Sequence, residues 1–168
     1  LKQVLENFAD EQFLISESTD WTFSDFLEQA VLFSNSLNIS PQEHIALCST
    51  NPEFLLKAMF ALWLKGAVAV PINPKFPQKQ KIELLIKTGS TLVEQLELNK
   101  NPADQHLSSD SLPSINPAAW ASIIFTSGSS GSPKAVVHSL ANHFYSALGA
   151  NQQMPLISGD RWLMSLPL

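Results

Sequence analysis

The sequence predicts a layered α/β domain with a mostly parallel sheet, and three observations carry that expectation. Strand-sized and helix-sized apolar patterns alternate from Ile45 to Val93, an order that requires crossovers between parallel strands. The run Trp120–Phe125 is almost continuously apolar, as expected of a central strand covered on both faces. Hydrophobic residues make up 45% of the 168-residue chain and charged residues 15%, a globular composition sized for one domain or part of a larger one.

Each element has a local reason. Gln12 to Ser16 reads as a short strand, followed by a polar turn at Glu17-Ser-Thr-Asp20. Thr22 and Asp25 form a helix-capping pair, after which Phe23, Phe26, Leu27, Ala30, Val31 and Leu37 recur at helical spacing, and Pro41 ends the unit. Ile45 to Ser49 is a strand. Asn51-Pro52-Glu53 supplies a cap, a first-turn proline and a first-turn acid. The helix that follows, Phe54 to Lys65, is apolar on nearly every face and is expected to be deeply buried, with Gly66 as its left-handed stop. Ala67 to Ile72 is a strand, Gln78 to Thr88 a helix with a basic side (Lys79, Lys81, Lys87) closed by Gly89, and Thr91 to Glu94 a further strand. Lys100 to Pro117 is a long polar surface loop with room for an edge strand around Gln105 to Leu107. Trp120 to Thr126 is a strand, Val136-Val137 a second β-branched run, Ser139 to Asn151 a helix and Arg161 to Leu166 a final strand. No internal repeat is present.

Composition also excludes functions. Ten basic against fifteen acidic residues leave a net charge of −5, with Arg161 the only arginine, so a basic face for nucleic acid is not expected. No apolar stretch reaches the length of a membrane span. The single cysteine, Cys48, cannot form an internal bridge and suits a reducing, cytoplasmic compartment; it is expected as a small buried group. The chain opens at Leu1 without Met or a leader pattern and stops in the apolar run Arg161–Leu168, which reads as a fragment of a longer protein. The four tryptophans look like core. His138 and His143, five apart, do not share a helix face as a four-residue spacing would, and no metal site is expected.

The segment with chemistry in it is Thr126-Ser-Gly-Ser-Ser-Gly-Ser-Pro-Lys134. It holds two of the chain's six glycines, and five hydroxyl side chains lie between Thr126 and Ser132. Glycine lets backbone N–H groups approach a bulky anion without a Cβ in the way. Hydroxyls add donors of adjustable direction, Lys134 adds a positive charge, and Pro133 stiffens the exit. Such a loop can form a concave nest for a polyphosphate. A flexible Gly/Ser linker is the competing reading. The glycine spacing matches neither the P-loop of NTPases nor the dinucleotide-binding fingerprint.

The whole nine-residue motif resembles the phosphate-binding signature of the adenylate-forming enzymes, the family of acyl- and aryl-CoA ligases, luciferases and peptide-synthetase adenylation domains, with Ser130 where Thr is commoner. Asn51-Pro52-Glu53 and Gly66–Pro74 resemble the family too. Within it, Val70–Gln78, Pro133–Ser139 with Asn142-His143, and Asp160–Leu168 are most similar to the o-succinylbenzoate–CoA ligases. The resemblance implies that the chain, residues 1–168, is the N-terminal portion of the adenylation (AMP-binding) domain, the large domain of such an enzyme, and that the C-terminal lid domain is absent. It implies an ATP-dependent acid–thiol ligase of menaquinone biosynthesis, with ATP, Mg²⁺ and coenzyme A as co-substrate, and a small-molecule carboxylate as substrate; a homo-oligomer is compatible with it. Thr126, Ser127, Gly128, Ser129, Ser130, Gly131 and Lys134 would hold the β- and γ-phosphates. Catalytic residues, the adenine and ribose contacts and a metal-holding acid are expected beyond Leu168, so the fragment alone would be inactive. The family implies a packing role for His143 near the phosphate loop. The alternatives are another acyl- or aryl-acid ligase, a peptide-synthetase adenylation domain, or a non-catalytic nucleotide- or pyrophosphate-binding module.

Overall fold

A computed structural model describes residues 6–16, 20–93, 112–126 and 133–163. Its centre is a five-stranded sheet built from β3 (His44–Leu47), β4 (Val68–Pro71), β5 (Thr91–Val93), β6 (Trp120–Thr126) and β7 (Lys134–Ser139), in the order β5-β3-β4-β6-β7. The β3–β4, β3–β5 and β4–β6 pairs are parallel, and only β6–β7 is antiparallel. The mostly parallel α/β sheet is therefore as expected. Trp120–Phe125 is an interior strand, but it lies one place in from the β7 edge; the middle position belongs to β4.

Helices α1 (Phe23–Ser36), α2 (Pro52–Leu64), α3 (Gln78–Thr88) and α4 (Leu140–Gln153) complete the layers. The period of two along each strand divides the core in half. Ile45, Leu47 and Ala69 point to one face, where they pack with Phe33, Phe54, Leu55, Ala58 and Leu62 from α1 and α2. Ala46, Val68, Val70 and Ile123 point to the other, where Leu84 of α3 meets them. Burial on both faces explains why β4 reads as an unbroken apolar run. A small antiparallel pair, β1 (Gln12–Ile15) with β2 (Asp20–Thr22), rests on α1 through Phe13, whose ring lies 4.8 Å from Phe23 and 4.4 Å from Phe26.

The end signals act as the sequence indicates. Thr22 and Asp25 form a reciprocal capping box, with Asp25 N–H donating to Thr22 Oγ1 at 3.1 Å and Thr22 N–H donating to Asp25 Oδ2 at 3.0 Å. Asn51 Oδ1 accepts from Phe54 N–H at 3.1 Å, ahead of Pro52 in the first turn. Gly66 stops α2 at φ +70°, where Ala67 N–H reaches Leu62 O at 2.9 Å and Gly66 N–H reaches Trp63 O at 3.0 Å, a Schellman ending. Gly89 at φ +61° closes α3 in the same pattern.

Some expectations are corrected. Arg161–Leu163 form no strand and are exposed; residues 164–166, the rest of that expected strand, lie outside the described residues. Trp120 and Trp162 are not core: they are 49% and 67% exposed, while Trp21 and Trp63 are partly buried. Ser139 is the N-cap of the last helix, not its first turn, because its hydroxyl accepts from Asn142 N–H at 3.2 Å. The suggested edge strand at Gln105–Leu107 lies outside the described residues. Cys48 is buried, as expected.

Candidate phosphate-binding site

The parallel strands β3, β4 and β6 run in one direction, so their carboxyl ends share one edge of the sheet. Ligands in open α/β sheets bind outside that edge, where loops are released from the ladder. The phosphate motif leaves β6 there. Thr126, the last residue of β6, pairs with Lys134, the first residue of β7, and both are exposed. The ladder continues back through Ile124↔Val136 and Ile123↔Val137 to Trp120↔Ser139. The two ends of the motif are therefore held side by side by a hairpin anchored in the sheet. An ammonium and a hydroxyl sit together at the mouth of the loop, a donor set that suits an anion. Ser127, Gly128, Ser129, Ser130 and Gly131 lie outside the described residues.

Lys87, on the basic side of α3, is exposed and borders the site. Its Nζ donates to the carbonyl oxygen of Pro133, the residue before Lys134. Nothing in the sequence connects residues so far apart; only the crossover of α3 brings them together. Lys79, on the same side, is exposed as well.

A second cluster lies further back along β6. Ser122 is fully buried, and its Oγ is 2.7 Å from His143 Nε2 on α4. A buried hydroxyl without a partner costs about 1–3 kcal/mol, which His143 prevents. The His143 ring lies 5.6 Å from Trp63 of α2 and 5.6 Å from His138 of β7. Trp63 Nε1–H donates to Ala121 O at 2.7 Å, tying α2 to the same stretch of β6. Burial first, and then repulsion from His138, hold the His143 pKa below the ordinary histidine value. The five-residue spacing of the two histidines is thus no bar to contact, because β7 turns directly into α4. His143 packs on Ser122 of β6, four positions before Thr126; residues 127–132, against which its expected place near the loop would be judged, lie outside the described residues. Among the described residues no group of three His, Cys, Asp or Glu side chains could hold a metal ion, and no helix is long and apolar enough to cross a membrane. A cavity of about 280 Å³, flanked by Gly66, Ala67, Trp63 and Trp120, opens at the amino ends of the parallel strands, the opposite edge from Lys134.

Comparison with known proteins agrees with this geometry. The family model described as AMP-binding enzyme matches residues 1–168, and the chain belongs to that family. Among curated relatives it is similar to 2-succinylbenzoate–CoA ligase of Bacillus velezensis, 27% identical over 92% of this chain and 36% of the relative. It is also similar to 2-succinylbenzoate–CoA ligase of Escherichia coli, 37% identical over 74% of this chain and 29% of the relative. The chain thus spans about a third of the length of these relatives. Among solved structures, o-succinylbenzoate coenzyme A synthetase of Bacillus subtilis in complex with ATP and magnesium ion superposes with a TM-score of 0.80 at 22% identity, over 98% of this chain and 49% of that one. At that identity the likeness establishes the fold, which is the N-terminal part of that architecture.

Proposed function

We propose that this chain is the N-terminal portion of the adenylation domain of an ATP-dependent acid–CoA ligase, and that o-succinylbenzoate is its acid. In the first step a carboxylate oxygen attacks the α-phosphorus of ATP, the bond to the bridging oxygen of the β-phosphate breaks, and pyrophosphate leaves. In the second step the thiol of coenzyme A attacks the acyl carbon, loses its proton, and AMP leaves with the electrons of the acyl–oxygen bond.

The observation that carries this reading is the pairing of Thr126 with Lys134 at the carboxyl edge of a parallel sheet, with the glycine–serine motif between them. Bringing an anionic nucleophile to a polyanion is a problem of positioning and charge stabilisation. Lys134 offsets charge on the β- and γ-phosphates, and Thr126, Ser127, Ser129 and Ser130 add hydroxyl donors while Gly128 and Gly131 let backbone N–H groups close in. Mg²⁺ would be held by the phosphates together with the acidic residue that the family resemblance implies beyond Leu168. The substrate assignment is supported by the names of the relatives in Bacillus velezensis and Escherichia coli.

The test is exchange of labelled pyrophosphate into ATP by the full-length protein with o-succinylbenzoate, benzoate, a fatty acid and an amino acid offered separately, followed by thioester formation with CoA. Exchange and thioester with o-succinylbenzoate alone are the expected outcome. Exchange with an amino acid alone would replace the ligase reading by a peptide-synthetase one. Binding of ATP without exchange for any acid would leave only a nucleotide-binding module.

A further inference from the structure

Among the described residues, helix α4 is held by few contacts. None of its side chains is buried, and Phe144, Tyr145 and Leu148 face outward at 62%, 68% and 43% exposure. Its inward contact is His143, which reaches the fully buried Ser122 and lies against the rings of Trp63 and His138. Beyond the capping box at Ser139, two backbone hydrogen bonds hold its first turn, from Leu140 N–H to Ala119 O at 3.4 Å and from Ala141 N–H to Pro117 O at 2.8 Å. Strand β7, which leads into α4, is an edge strand paired on one side only.

We propose that the Ser122–His143 pair is a proton-sensitive latch for α4: neutral His143 docks the helix on the sheet, and protonated His143 releases it.

The groups facing the imidazole are Ser122 from β6, Trp63 from α2 and His138 from β7. Of these only His138 can carry a charge, and a positive charge there repels one on His143. Among the described residues no carboxylate is among the groups that shift the ring's pKa. An imidazolium carries two N–H donors and needs water or anions at both. Docked, the part-buried ring has the Ser122 hydroxyl at Nε2 and the rings of Trp63 and His138 beside it. The Trp63 face attracts a cation, but the net direction of the His143 pKa is downward, so burial and His138 outweigh that attraction. The sign follows. The undocked ring binds a proton at the ordinary histidine value, about 6.5, and the docked ring binds it only at lower pH. Docking is therefore at full strength above that ordinary value and weakens as pH falls from it towards the docked value.

The experiment is amide hydrogen exchange of the full-length protein at about pH 7.5 and pH 5, corrected for intrinsic exchange, with NMR titration of the His143 ring. Expected is a several-fold loss of protection across residues 144–152 at the lower pH, with β3 and β4 unchanged. In His143→Gln, whose carboxamide can still bond Ser122 but does not titrate, α4 protection should be the same at both pH values. In His138→Gln the His143 ring should titrate higher and the loss should shrink, a response that a merely structural histidine would not give. Protection of α4 that ignores pH in the unaltered chain would overturn the proposal, as would a loss of equal size in His143→Gln. Should His143→Gln fail to dock at either pH, the ring titration decides: an ordinary histidine pKa for His143 in the unaltered chain, unmoved by His138→Gln, sinks the latch.

Discussion

Lys134→Ala separates the two half-reactions of the proposed ligase. Lys134 opens edge strand β7, opposite Thr126, and its side chain is exposed. Removing it deletes no core packing, so the folding free energy should change by no more than about 0.5 kcal/mol. Its contribution belongs to the ligand. A charge-assisted contact to phosphate is worth about 1.5–3 kcal/mol, or roughly 10- to 150-fold in the affected step. Pyrophosphate leaves before the thiol attacks, so a residue serving the β- and γ-phosphates has nothing to hold in the second step. In the full-length protein, ATP–pyrophosphate exchange should therefore fall by that factor, while CoA transfer from pre-made acyl-adenylate stays within about twofold. Lys134→Arg should recover part of the loss, because a planar fork does not reproduce a compact ammonium. Equal losses in both half-reactions, or a large drop in melting temperature, would refute the reasoning and place Lys134 in the fold or the thiol step.

Three further outcomes concern stability, each read by urea unfolding of the 168-residue chain. Phe33→Ala should cost about 3–5 kcal/mol, because the side chain is 1% exposed and packs on Phe54, whereas Phe144→Ala, at 62% exposure, should cost no more than about 0.5 kcal/mol. Gly66→Ala and Gly89→Ala should each cost about 1–2 kcal/mol and by similar amounts; a new Cβ meets Pro41 Cβ at an ordinary 3.6 Å in the first case and nothing within 4 Å in the second, so backbone strain alone sets both. A clearly larger loss at Gly66 would mean that contact is not ordinary. Thr22→Ala should cost about 1 kcal/mol by opening the capping box of α1, and an unchanged midpoint would show that Asp25 alone suffices.

Much of the fold was legible because its signals are local. The capping pair Thr22/Asp25, the Asn51-Pro52 start, and the glycines after Lys65 and Thr88 mark helix ends through hydrogen bonds that close within a few residues. The period-two strands and the buried α2 follow from apolar spacing, and Gln78–Thr88 and Trp120–Thr126 match their expected bounds. The phosphate motif stood out as a candidate for the same reason: its glycines, hydroxyls and lysine are contiguous in the sequence.

What the sequence could not decide lies between elements. That Trp120 and Trp162 are exposed depends on which residues pack over them in the fold, not on their hydrophobicity. That β6 stands one place from an edge depends on where the crossovers send β5 and β7. Lys87 meets Pro133, and Ser122 meets His143 between Trp63 and His138, across separations that no residue spacing encodes. The sequence by itself determined most of the elements and their caps, since each arises from neighbours along the chain, and it marked the candidate anion-binding segment. The tertiary structure alone decided which side chains share a desolvated space, because burial and charge repulsion act through distance in the folded molecule and not along the polypeptide.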